Sequence, residues 1–96
     1  SQPVIADINE VSSAWYLRVD AEDKPGGMAS LTQCLSQHGI GIESLIQKPE
    51  SAALAKVPVI LMTDEAPTRA IEQAIADIEA LPSVGGPVTC LRVENF

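Results

Sequence analysis

The chain is poor in aromatic residues, histidine, cysteine and basic side chains, and each shortage removes a class of function. Trp15, Tyr16 and Phe96 are its three aromatics in 96 residues, too few for a row of rings on which unstacked bases could lie. Six Lys and Arg stand against thirteen Asp and Glu, a net charge of −7, and such a field repels phosphate backbones and anionic lipid surfaces. The basic residues Arg18, Lys24, Lys48, Lys56, Arg69 and Arg92 are scattered rather than gathered into a stripe. No nucleic-acid partner and no membrane partner is therefore expected. Cys34, Cys90 and the lone His38 fall at no metal-ligand spacing, and a pair of packed, reduced thiols fits the cytoplasm.

Long apolar runs are also missing. Val57 to Met62, with Pro58 inside it, falls far short of the ~20 residues a spanning helix needs. The first residues lack a basic region and include Asp7 and Glu10, unlike a signal peptide, and the absent initial Met points to a processed or truncated chain. No nucleophile elbow, P-loop, HExxH or GxGxxG occurs. Asp64 and Glu65 are placed at a helix start, where acids favour the dipole, and Glu72, Asp77 and Glu79 on a solvated helix face. Neither an acid–base pair nor a metal-dependent active site is expected in this chain, nor a cofactor of its own.

What is present reads as one domain, since this length closes a single core. Residues 1–13 show no sustained period and read as a lead-in from an upstream domain, with the domain proper over 14–96. Trp15, Leu17 and Val19 alternate with Tyr16, Arg18 and Asp20 as a half-buried first strand. A polar Pro-Gly turn over residues 21–27 follows, then Met28, Leu31, Cys34 and Leu35 at helical spacing. Gly39 suits the left-handed position after that helix, with His38 capping or packing in its last turn. Residues 40–48 form a second strand, 48–56 a connector, and 57–63 a buried third strand with Pro58 near its start.

Pro67 suits a first helical turn, and Ile71, Ala74, Ile75, Ile78 and Leu81 mark the second helix. Pro82 to Pro87, with Gly85-Gly86, stops it, and Thr89, Leu91 and Val93 belong to a fourth strand. The order β-α-β-β-α-β predicts an α+β, ferredoxin-like sandwich: a four-stranded antiparallel sheet, strands one and three central, both helices on one face. The uncovered face carries Tyr16, Arg18 and part of strand three, so self-association is expected.

One segment offers chemistry. In Glu22-Asp23-Lys24-Pro25-Gly26-Gly27, Pro25 fixes the entry, Gly26 permits close approach, and free N–H groups at a helix start can receive a carboxylate. Glu22 and Asp23 could hold an ammonium. Together these suit a zwitterionic amino acid, although such turns commonly serve only to turn.

Trp15 to Val19, Asp23-Lys24-Pro25-Gly26 and His38-Gly39-Ile40-Gly41-Ile42-Glu43-Ser44-Leu45-Ile46-Gln47-Lys48 together resemble the ACT domain of bacterial homoserine dehydrogenases. The likeness runs over about residues 14–94, through Pro58 to Thr63, Ile78 to Pro82 and Val88 to Glu94. It implies a C-terminal domain that senses a small amino acid, threonine foremost, and controls an upstream NAD(P)-dependent catalytic domain. It further implies a homodimer through strand two. Ligand would lie between Asp20 to Gly27 of one subunit and Gly39, Ile40, Gly41 and Ile42 of the other. Two positions depart from the amino-acid-binding pattern: Gly41 stands where relatives often carry Asn or Ser, and Gly27-Met28 replaces Val-Leu. A structural, non-binding dimerisation module of the same or another amino-acid enzyme is the alternative.

Overall fold

The structure, a computed structural model, describes residues 11–48 and 56–94. Most of the expected lead-in and residues 49–55 of the expected connector lie outside the described residues. Five strands and two helices follow in the order β1 (Ser12–Glu22), α1 (Pro25–Gln37), β2 (Ile42–Gln47), β3 (Lys56–Thr63), β4 (Ala66–Pro67), α2 (Thr68–Glu79) and β5 (Val84–Val93).

The alternation that begins at Trp15 decides which strand is central. Trp15, Leu17, Val19 and Ala21 all point to one face and are buried, which only a strand flanked on both sides and covered by helices can achieve. β1 pairs antiparallel with β3, from Tyr16 opposite Met62 to Glu22 opposite Lys56, and with β5 on its other side. β2 pairs antiparallel with the outer side of β3. The order β2-β3-β1-β5 is the expected ferredoxin-like sheet, with β2 and β5 at its edges.

Both helices cover the same face. Leu31, Cys34 and Leu35 of α1 and Ile71, Ala74 and Ile78 of α2 join Leu17, Val19, Val59 and Leu61 in one core. Each Leu or Ile removed fully from water contributes about 1.5–3 kcal/mol, offset by the entropy of ordering the chain. The opposite face leaves Ile46 and Leu91 exposed, beside half-buried Tyr16, Ile60 and Met62. Among the described residues no helix is long and apolar enough to cross a membrane.

The structure corrects three local expectations. β1 is longer than the alternating core of the pattern, because Ser12 and Ser13 pair with the short β4 while Ala21 and Glu22 still pair with β3. β4 is a continuation of the β3 edge after a bulge at Asp64 and Glu65, so these acids stand before β4 and α2 has no acidic residue in its first turn. Pro67 accordingly lies just outside α2, as its N-cap. Finally, Gly85-Gly86 lies inside β5 instead of ahead of it. Gly86 adopts φ +74°, and the register with β1 shifts between Arg18 and Asp20, so the glycines make a bulge rather than a stop.

Candidate functional site

The turn between β1 and α1 is fixed chiefly by backbone. Pro25 sits at the first helical position, where its missing N–H costs nothing. Lys24 precedes it in extended conformation and makes no side-chain cap; the first bond along the helix runs from the Met28 N–H to the Lys24 carbonyl at 3.1 Å. The N–H groups of Gly26 and Gly27 therefore have no intrahelical partner, and Gly26 is exposed while Gly27 is buried. The Glu22 N–H donates to the Ser83 carbonyl at 2.8 Å, and the Lys24 N–H to the Glu22 carbonyl at 2.9 Å.

Gly27 is buried in this turn, and a Cβ there would stand 3.0 Å from the Glu22 carbonyl oxygen. A side chain there would press on the Glu22 carbonyl, which would have to give by a few tenths of an ångström. Gly26, by contrast, has open space around it. The Asp23 carboxylate accepts a hydrogen bond from Gln47 Nε2, at the end of β2. Lys24 lies 4.0 Å from Glu22 with 76% of its side chain exposed, a pair worth little.

At the other end, Gly39 follows α1 as the sequence predicts, while His38 stands just past the last turn, at the C-cap, rather than within it. Gly39 takes φ +71°, its N–H donates to the Ser36 carbonyl, and the Ile40 N–H returns to Leu35 at 3.0 Å, satisfying carbonyls that the helix leaves open. Ile40 and Ile42 line a groove of about 430 Å³ with Ala29, Thr32, Gln33 and Ser36 of α1. Gly41, between them, is exposed. A Cβ at 41 would collide with Asp64 Oδ2, and the Asp64 N–H donates to the Gly41 carbonyl at 2.9 Å.

The two expected halves of the site thus stand at opposite ends of α1, whose 13 residues put about 20 Å between them. Within one chain the Glu22–Gly27 turn meets Gln47 and Ser83, while Gly39–Ile42 meets Asp64. Sequence reading passed over Gln47 and Asp64. Hairpin register would have placed both, since Gln47 ends β2 opposite Val59 and Asp64 directly follows the Thr63 that faces Ile42.

Other reactive groups are quiet. Burial pushes the Cys34 thiol up, with the Asp77 charge adding to it. Burial likewise raises Cys90, against the pull of Arg92 and with a push from Glu72, so neither is an activated nucleophile. His38 Nε2 lies 2.6 Å from Asp77 Oδ2, joining the end of α1 to α2. Among the described residues no group of three or more His, Cys, Asp or Glu could hold a metal.

The ACT domain family model matches residues 15–81, a span that runs from within β1 through α2 and holds both halves of the site. The chain belongs to the ACT domain family. It is 44% identical, over 96% of its length, to a homoserine dehydrogenase of Pseudomonas aeruginosa, and 42% identical over the same share to one of Methylobacillus glycogenes. The crystal structure of a homoserine dehydrogenase from Thiobacillus denitrificans superposes with a TM-score of 0.83 at 34% identity, over 99% of this chain and 20% of that one. The ACT domain of a GTP pyrophosphokinase from Chlorobium tepidum shares the fold at 17% identity, with a TM-score of 0.66, over 84% of this chain and all of that one. This ACT domain therefore resembles that of homoserine dehydrogenases, and it spans about a fifth of the length of the curated relatives it matches.

Proposed function

We propose that this ACT domain is the amino-acid sensor of a homoserine dehydrogenase, binding threonine and controlling a catalytic domain upstream in the same protein. The nicotinamide cofactor, NAD(P), and the reacting groups of that enzyme belong to the portion outside this chain, and the whole works in the cytoplasm. The observation that carries the reading is the placement of the two site segments at opposite ends of α1 and β2. A second copy paired antiparallel along the β2 edge, as a two-fold dimer, sets the Glu22–Gly27 turn of one subunit beside Gly39–Ile42 of the other. The free N–H groups of Gly26 and Gly27 then take the threonine carboxylate, and Asp23 takes the ammonium.

A second reading has its own support: Asp23 is engaged by Gln47 and Gly41 offers no side chain, which suits a module that dimerises without binding an effector. Thermal melting with L-threonine separates the two. A ligand bound only to the folded form adds about 2.7 kcal/mol at 100 times its Kd, a shift of roughly 10 °C or more for a domain of this size. The melting point should rise by that amount at fixed protein concentration, and Asp23→Ala should remove most of the rise while barely moving the ligand-free value. No rise in large threonine excess decides for the structural module.

A further inference from the structure

Asp64 is held with more care than a loop acid needs. Thr63, fully buried, accepts the Trp15 N–H on its Oγ1 at 3.0 Å and donates the same hydroxyl to the Asp64 carbonyl at 2.8 Å. The Trp15 indole N–H donates to the Ala66 carbonyl at 2.9 Å, and the Asp64 N–H to Gly41. The backbone on both sides of Asp64 is thereby pinned across two strands, while the residue itself is exposed. Among the described residues its carboxylate makes no hydrogen bond and no ion pair.

That uncompensated carboxylate, carried on a pinned backbone, lies in the space that a side chain at 41 would take. Gly41 is then a consequence rather than a deficiency: the polar group at this end of β2 comes from the β3–β4 bulge, and any residue larger than glycine would displace it. Its charge is opposite to an ammonium, which has three N–H donors to place, and Asp23 already has one oxygen committed to Gln47.

We propose that Asp64 is a specificity-determining residue of the effector site, its carboxylate taking the ammonium of the bound amino acid jointly with Asp23 of the second copy. The proposal rests on the sensor reading above. It assigns selection for α-amino acids over amine-free acids to a carboxylate contributed by β3–β4, with Gly41 as the gap that admits it.

Titration calorimetry of the chain with L-threonine tests this. Asp64→Ala and Asp64→Asn should weaken binding about tenfold or more and leave the ligand-free melting point within about 4 °C. Gly41→Asn alone should also lose binding, because the new side chain displaces the carboxylate from this position. Gly41→Asn combined with Asp64→Ala should bind more tightly than either single variant, an amide now filling the vacated space. If the Asp64 variants bind threonine as the unaltered chain does, or the double variant is no better than Asp64→Ala, the inference falls and the sensor reading stands. If the unaltered chain binds no threonine, both fall.

Discussion

The two ends of α1 are built from different kinds of interaction. At the β1–α1 turn, backbone bonds to backbone over short reach: Lys24 to Glu22, Met28 to Lys24, and one longer link from Glu22 to Ser83. A buried glycine closes it. At the Gly41 end, side chains bond to backbone across the whole fold. Thr63 and Trp15 are 48 positions apart, Trp15 and Ala66 are 51, and Arg92 lies 4.6 Å above the Trp15 ring while bonding Ser13 and Thr68. A turn of the first kind tolerates changes in side chains but not in backbone freedom, whereas a corner of the second kind depends on a few particular side chains.

The largest effect should come from Trp15→Ala. It opens a cavity in the core, orphans the Ala66 carbonyl and releases Arg92, and removing a buried tryptophan costs about 3–5 kcal/mol. A melting point lowered by about 12 °C or more is expected. A loss of under 1 kcal/mol by urea unfolding would show that the Asp64 corner does not hang on Trp15 at all.

The same contrast explains what could be read in the chain beforehand. Pro25, Gly26 and Gly27 announce a turn because their effect on the backbone is local, and the periodicity of Trp15 to Val19 and Ile71 to Leu81 places strand and helix for the same reason. The sheet order followed from element order alone. The β3–β4 bulge was not legible: Asp64-Glu65 before Ala66-Pro67 looks like a helix start, and only the pairing of Ala66 and Pro67 with Ser13 and Ser12 shows that two more residues join β1. Gly85-Gly86 misled in the opposite direction. A glycine pair signals broken structure, yet β1 on one side and Glu79, which accepts the Val88 N–H at 2.7 Å, supply enough partners to carry the strand through. For the site, both expected segments are where the sequence places them along the chain, but their distance apart depends on the helix between them, and Gln47 and Asp64 enter through pairing that no local motif records.

Matched substitutions sharpen the comparison at intermediate size. Gly27→Ala adds one methyl against the Glu22 carbonyl, an overpacking that costs about 1–3 kcal/mol. Thr63→Val keeps the volume and removes the hydroxyl, leaving the Trp15 N–H buried without its acceptor, also about 1–3 kcal/mol. Their signatures should differ. By amide hydrogen exchange, Gly27→Ala should loosen the first turn of α1 and residues near Ser83, while Thr63→Val should loosen Trp15, Asp64 and Ala66. Identical exchange patterns from the two variants would mean that the ends are one cooperative corner rather than two.

The smallest effect is expected from His38→Ala. The His38–Asp77 contact lies at the same end of α1 as Gly41, with side chains 23% and 50% exposed. Water and salt screen a pair so placed, which limits it to under about 1 kcal/mol. The helix end has independent support, since the Gly39 and Ile40 N–H groups already satisfy Ser36 and Leu35, and those bonds use no side chain. Removing the imidazole should therefore lower the melting point by a few degrees at most, and the loss should shrink further in high salt. A loss above about 2 kcal/mol that persists in salt would place His38 beside Trp15 and Thr63 as a side chain on which this end of the molecule depends. It would also make the docking of α1 on α2, rather than the β3–β4 bulge alone, the element that fixes Gly41 beneath Asp64.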